Sequence, residues 1–197
     1  MKKGRSGLVV FVGIVVAAFL IFAWIYNALV RAEERVSESW AQVENVYQRR
    51  LDLVPNLVET VKGYAAHERQ TLDAVTEARA KATQTNIPRE VFNDPEALTR
   101  FEQLQQGLSS ALSRLLAVVE QYPDLKASQN FLALQSQLEG TENRIAVERH
   151  RFNETARDFN AKLRVFPNNL VVRMARFQRK SYFAADEGAR IAPKVKF

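Results

Sequence analysis

The sequence contains no cysteine. That excludes disulfides, thiolate catalysis, cysteine-ligated zinc and a lipid anchor on cysteine. Histidine is limited to His67 and His150, so imidazole chemistry has at most two carriers. Glycine is scarce too. Beyond residue 26 only Gly63, Gly107, Gly140 and Gly188 occur, and no glycine-rich phosphate loop can be built from them. Strand-like alternation of apolar and polar residues is missing, which leaves helix as the dominant state. Charged residues form 25% and hydrophobic residues 47% of the 197-residue chain, a balance that fits one modest folded domain and excludes a wholly disordered one.

Against this background one apolar run stands out. "LVVFVGIVVAAFLIFAWIY", Leu8 to Tyr26, holds 19 residues without a charge. As a helix it measures about 28 Å, close to a hydrocarbon core of roughly 30 Å. Trp24 and Tyr26 sit at its outer end, where amphipathic aromatics favour the membrane interface. The run exceeds the roughly 7–15 residues of a signal-peptide core and no small-residue cleavage site follows it, so a retained transmembrane helix is predicted over a cleaved signal. Lys2, Lys3 and Arg5 precede it without an acid, which places residues 1–7 in the cytoplasm and the rest of the chain outside the cytoplasmic membrane. The net charge of +6 is therefore not a nucleic-acid signal: with those three residues set aside, 25 basic residues face 22 acidic ones. Neither the charge nor the aromatic pattern points to nucleic acid as a partner.

Seven-residue spacing organises the remainder. Leu29, Val36, Val43, Arg50, Leu57 and Tyr64 form one row, and Trp40, Tyr47, Val54, Val61, Glu68 and Val75 its companion. Phe131, Leu138, Ile145, Phe152, Phe159 and Phe166 repeat the interval later. This is the seam of long helices packed at shallow angles. "NDPEALTRF" starts a helix between them: Asp94 caps it, Pro95 suits its first turn, Glu96 favours the positive dipole end, and Pro123 stops it. Asn168 opens a final helix, "NNLVVRMARFQRKSYF". A fourth bundle helix accounts for that segment. Contact of Arg173, Arg176, Arg179 and Lys180 with acidic lipid headgroups or a neighbouring subunit is the alternative. The predicted fold class is all-α, an N-terminal transmembrane helix followed by an antiparallel bundle of long helices over 27–183, with a tail at 184–197.

The stretch "RRLDLVPNLVETVKGYAAHE", residues 49–68, tests for chemistry. A zincin needs two histidines flanking a glutamate on one helical face, but His67-Glu68 is followed by Arg69, Gln70 and Thr71. No nucleophile elbow is visible. No catalytic, metal or cofactor site is assigned. Pro55 removes a hydrogen bond to the Leu51 carbonyl. The heptad phase holds across it, favouring a kinked continuous helix over a hairpin in which Asp52 caps a new one. Charges in the seam, Arg50 and Glu68 above all, are costly unless paired, and setting register is their best-attested role.

The blocks "YNALV" (26–30), "RRLDLVPNLVETVKGYAAHE" (49–68), "EQYPDLKASQNFLALQSQLEGTENRIAVERHRFNETARDFN" (120–160) and "FPNNL" (166–170) resemble the signature blocks of the bacterial LemA family. The resemblance covers almost the whole chain, though Gln129 and Ser136 fall where acidic residues are expected. It implies a single-pass bacterial membrane protein with an antiparallel helical bundle, and implies no established activity.

Two function classes follow: a membrane-anchored scaffold or assembly protein of the cell envelope, and an accessory subunit of an envelope enzyme such as a protease or phosphatase. Seams and an anchor without a convergent acid–base set favour the first. Length arithmetic adds a partner. A first helix running from Asn27 to Thr83 is about 85 Å long, whereas the second, from Pro95 to Tyr122, is about 42 Å and covers only its outer half. Residues 27–54 are then a bare stalk whose apolar seam is expected to drive homo-oligomerisation. The candidate interaction residues are Val36, Trp40, Val43, Tyr47, Arg50, Asp52, Pro55, Asn56, Tyr64, His67 and Glu68.

Overall fold

One helix carries the chain from the apolar run into the bundle without interruption. In the computed structural model, which describes residues 3–84 and 91–184, α1 spans Lys3–Tyr64. It is followed by α2 (Arg69–Gln84), a 3₁₀ turn (Val91–Asn93), α3 (Pro95–Val119), α4 (Pro123–Lys126), α5 (Gln129–Arg164) and α6 (Asn168–Ala175). The described residues contain no strand, so the all-α expectation holds.

Pro55 lies inside α1 on its solvent face, as do Asp52 and Asn56. The position is tolerated because the ring points away from the core and because the carbonyl it orphans finds another donor. Pro55 cannot donate to Leu51, whose side chain is buried. Instead Arg79, from α2, donates its Nε–H to the Leu51 carbonyl at 2.9 Å. A backbone group that would be left unpaired is thereby satisfied from a neighbouring helix.

The expected continuation of α1 to Thr83 is incorrect. α1 ends at Tyr64, nine residues beyond Pro55, and the chain reverses through Ala65–Glu68. There the Glu68 N–H donates to the Ala65 carbonyl at 3.0 Å, and the Glu68 carbonyl receives the Thr71 and Leu72 N–H groups that begin α2. Neither alternative, a helix kinked at Pro55 or a hairpin opened there, anticipates this reversal. α2 folds back along α1 and α3 and buries Leu72, Val75 and Ala82 against Leu57, Val61 and Leu112. Val75 keeps its heptad phase with Val61 by the length of the turn, not by helical continuity, so spacing alone conceals the break.

α5 then runs antiparallel to α1 over almost its whole length. Arg50 meets Glu142 at 2.9 Å and the Trp40 ring meets Phe152 at 5.3 Å, contacts ten residues apart on both helices. Two apolar cores result. The outer core, from Leu51 to Leu138, gathers α1, α2, α3, α4 and the start of α5. The inner core, from Ile25 to Phe183, gathers α1, the start of α3, the end of α5, α6, the 3₁₀ turn and the C-terminal segment. Asp94 caps α3 as expected, its carboxylate accepting the Glu96 N–H at 2.9 Å, with Pro95 in the first turn.

The inner core removes the bare stalk. Val36, Trp40, Val43 and Tyr47 are all buried within one chain. Trp40 is ringed by Phe92, Phe101, Phe152 and Phe183 at centroid distances of 5.8, 5.7, 5.3 and 5.7 Å. Two of these covers come from the 3₁₀ turn and the C-terminal segment, neither of which the length arithmetic included. The final helix is also shorter than expected. α6 stops at Arg176, which adopts the left-handed conformation (φ 58°), and residues 177–184 leave the helix. The linker expected at Thr83–Asn93 falls partly on 85–90, and the tail at 184–197 mostly on 185–197, both outside the described residues.

Two outcomes follow for the full chain in mild detergent. Arg79→Ala should cost about 1–3 kcal/mol in chemical unfolding, the penalty of an unpaired buried carbonyl, and the cost should shrink to a fraction of that in a Pro55→Ala background. Val43→Cys should resist a water-soluble maleimide and form no inter-subunit disulfide, whereas Gln42→Cys, on the exposed face, should react freely; mass spectrometry reads both.

Candidate functional site

Arg50 is the one charged residue in the buried row of α1, and it stands where the two cores meet, between Tyr47 and Leu51. Only 1% of it is exposed. Its Nη1 donates to Ser109 Oγ at 2.8 Å and to Glu142 Oε1 at 2.9 Å. Its Nη2 donates to the Gln105 side-chain oxygen and, at 3.4 Å, to the Gln105 carbonyl. The Tyr47 ring lies 5.1 Å from Cζ. One guanidinium thus ties α1 to α3 and α5. Glu142 and Ser109 continue outward into an open groove of roughly 450 Å³, also lined by Leu112, Ser113, Leu116 and Leu138. The fork is engaged by the chain's own oxygens, with only Nε lacking an acceptor among the described residues. The arrangement clamps helices and leaves no donor pair aimed at a ligand.

A second polar cluster fastens the C-terminal segment. Asn160 accepts the Lys180 N–H and donates to the Lys180 carbonyl, both at 2.8 Å. Asn153 treats Phe183 the same way, at 2.9 and 3.1 Å. Seven residues of helix advance about 10.5 Å, and three residues of extended chain about 10 Å. The segment must therefore be extended to reach both asparagines, which is why the helix expected through Phe183 does not form. The Lys180 ammonium is buried, donates to Glu33 of α1 at 2.5 Å and to Asn93 at 2.8 Å, and lies over the Phe92 and Phe159 rings. Arg149 bridges Glu102 (2.9 Å) and the Ala184 carbonyl (3.1 Å). Sequence reasoning passed over Asn153 and Asn160. Their signal is a Phe-Asn pair repeated at seven residues, Phe152-Asn153 and Phe159-Asn160.

The remaining candidate residues do not converge. Asp52 is exposed and accepts from Gln48 at 2.7 Å; Asn56 is exposed beside Pro55; Tyr64 and His67 are exposed at the α1–α2 reversal. Glu68 is half-buried and accepts the Tyr122 hydroxyl at 3.0 Å, which pushes the Tyr122 pKa up. Burial raises the Tyr47 pKa to about 12 against the opposing charges of Arg149 and Arg50. Glu68 therefore ties the outer turn of the bundle to Tyr122, while His67 faces solvent. No group of three or more His, Asp and Glu that could hold a metal ion occurs among the described residues.

The LemA family model matches residues 39–197, which include the Arg50 clamp and the asparagine-held segment. The chain belongs to the LemA family. Protein LemA of Metamycoplasma hominis is 25% identical over 175 residues, covering 87% of this chain and 76% of its own. Magnetosome protein MamQ of Magnetospirillum gryphiswaldense is 26% identical over 174 residues, covering 80% of this chain. Magnetosome protein MamQ 2 of Paramagnetospirillum magneticum is likewise 26% identical over 174 residues. This chain spans 64% of the length of each of these two magnetosome proteins.

In this LemA-family chain the clamp predicts a signed coupling. Glu142→Leu strands a buried guanidinium and should destabilise the full chain by about 2–4 kcal/mol, while Arg50→Met combined with Glu142→Leu should recover much of that loss. Unfolding by denaturant in detergent measures all three states.

Proposed function

We propose that this protein is a membrane-anchored, non-catalytic scaffold of the bacterial cell envelope. In this reading residues 8–26 cross the cytoplasmic membrane with the N-terminus in the cytoplasm, and the bundle stands outside. The observation that carries the reading is the continuity of α1 from Lys3 to Tyr64. The apolar stretch is long enough to cross a bilayer and passes into the bundle core without a linker. A continuous helix fixes the height and orientation of the bundle, which suits presentation of a surface. The polar residues inside the matched family region support the same reading, because Arg50, Asn153, Asn160 and Lys180 are spent on holding helices and the C-terminal segment together. Self-association through the stalk loses its ground, since that seam is covered within one chain.

Orientation and role are tested in cells. In the cysteine-free background, Lys62→Cys should be labelled by an impermeant maleimide on cells whose outer face is accessible, and Lys2→Cys only after permeabilisation. The reverse pattern overturns the orientation. His67→Ala, Asp52→Asn and Glu68→Gln should each complement a deletion strain as well as the unmodified chain does. Loss of complementation with folding and abundance intact points to chemistry.

A further inference from the structure

The inner end of the bundle leaves a surface that packing within the chain does not use. α6 packs against both α1 and α5 through Val171, which is buried with Ile25, Leu29 and Leu163. Its other side carries Leu170 and Met174, 54% and 73% exposed, and Phe166, in the turn before the helix, is 75% exposed. Leu170 and Met174, four apart in α6, share a helical face, and Phe166 stands exposed in the turn that leads into the helix, so the three give the inner end of the bundle an apolar surface. Arg164, Arg173, Arg176 and Arg179 are exposed around it. From Phe159 to Ala184 the sequence holds six basic residues and no acid. Of the first acids beyond the apolar run of α1, Glu33 is tied to Lys180, leaving Glu34.

Position decides what covers this surface. Phe177, which follows α6, packs on Tyr26 at a centroid distance of 5.9 Å, and Tyr26 stacks on Phe22. Both residues belong to the outer end of the charge-free run, whose first charge beyond Met1–Arg5 is Arg31. α6 is therefore held at the level where the hydrocarbon of a bilayer spanned by α1 gives way to headgroups. An amphipathic helix at that depth buries its apolar face by several ångströms and pairs its arginines with phosphate.

We propose that α6 and the Phe166 turn form a membrane-docking foot that inserts Phe166, Leu170 and Met174 into the outer surface of the bilayer crossed by α1 and sets Arg164, Arg173, Arg176 and Arg179 on anionic lipid headgroups. The foot rests on the reading of residues 8–26 as a membrane span, and the test separates the two. The full chain is reconstituted at one copy per nanodisc with single spin labels at Phe19→Cys, Met174→Cys and Lys62→Cys. Accessibility to oxygen and to a water-soluble nickel chelate is then read by electron paramagnetic resonance.

The expected result is that Met174, like Phe19, is several-fold less accessible to the chelate than Lys62 and more accessible to oxygen. Protection of Met174 should be greater in discs containing phosphatidylglycerol than in phosphatidylcholine alone, and should weaken when the four arginines become glutamine. Phe19 protected with Met174 as open as Lys62 overturns the foot and leaves the anchor standing. Phe19 as open as Lys62 overturns both. Protection of Met174 that appears only in discs holding several copies means that a second chain covers the surface, and overturns the lipid assignment. Protection that is equal in both lipids and unmoved by arginine replacement overturns the headgroup contact. Met174→Cys is a substitution at an exposed position, and the near-ultraviolet circular dichroism of each variant confirms the fold.

Discussion

The apolar row of α1 has to be covered, and the rest of the molecule is arranged to cover it. From Ile25 to Ala65 a buried residue recurs every three or four positions, across about eleven turns of helix. Each large apolar side chain in such a row gains roughly 1.5–3 kcal/mol on burial, so no part of it is stable in water. Among the described residues no other single helix is long enough for the task. α5 supplies one continuous flank. α2 and most of α3 complete the outer half, and the start of α3, the 3₁₀ turn, α6 and the extended C-terminal segment complete the inner half. The reversal at Ala65–Glu68 and the stop at Arg176 serve the same end, because each turns the chain back onto a stretch of α1 that is otherwise bare.

A row so regular would tolerate sliding by a heptad, since Phe131, Leu138, Ile145, Phe152 and Phe159 present similar knobs at equal intervals. Arg50 removes that freedom. A guanidinium buried at one level needs Glu142, Gln105 and Ser109 at the same level. A shift of one heptad would bury the charge among leucines and phenylalanines. The cost of desolvating the ion is the means by which three helices find a common register. Trp40 and its aromatic neighbours then fill the space below it.

Much of this was legible in the sequence, because helix, seam and cap are local properties. The rows of Val36 and Trp40, the cap at Asp94 and the apolar run state their periods directly. What stayed hidden depends on partners distant in the chain. Pro55 is an ordinary helix breaker until Arg79 is brought beside Leu51. The reversal after Tyr64 preserves the heptad phase and so leaves no mark in the spacing. Asn153 and Asn160 look like solvent-facing polar residues of a helix; their function exists only once Lys180 and Phe183 lie against them. The candidate site divides the same way. Arg50 was visible because a charge interrupts an apolar row, whereas Asp52, Asn56 and His67 attracted notice by their motif and turn outward.

Because α1 has no joint between Tyr26 and Tyr64, it acts as a lever about 57 Å long. Transmembrane helices tilt to match the thickness of the bilayer around them. A change in tilt of about 10° would swing the far end of the bundle, near His67 and Tyr122, through roughly 10 Å. Where residues 8–26 cross a bilayer, a single unbroken helix would pass a change in tilt on to the far end of the bundle.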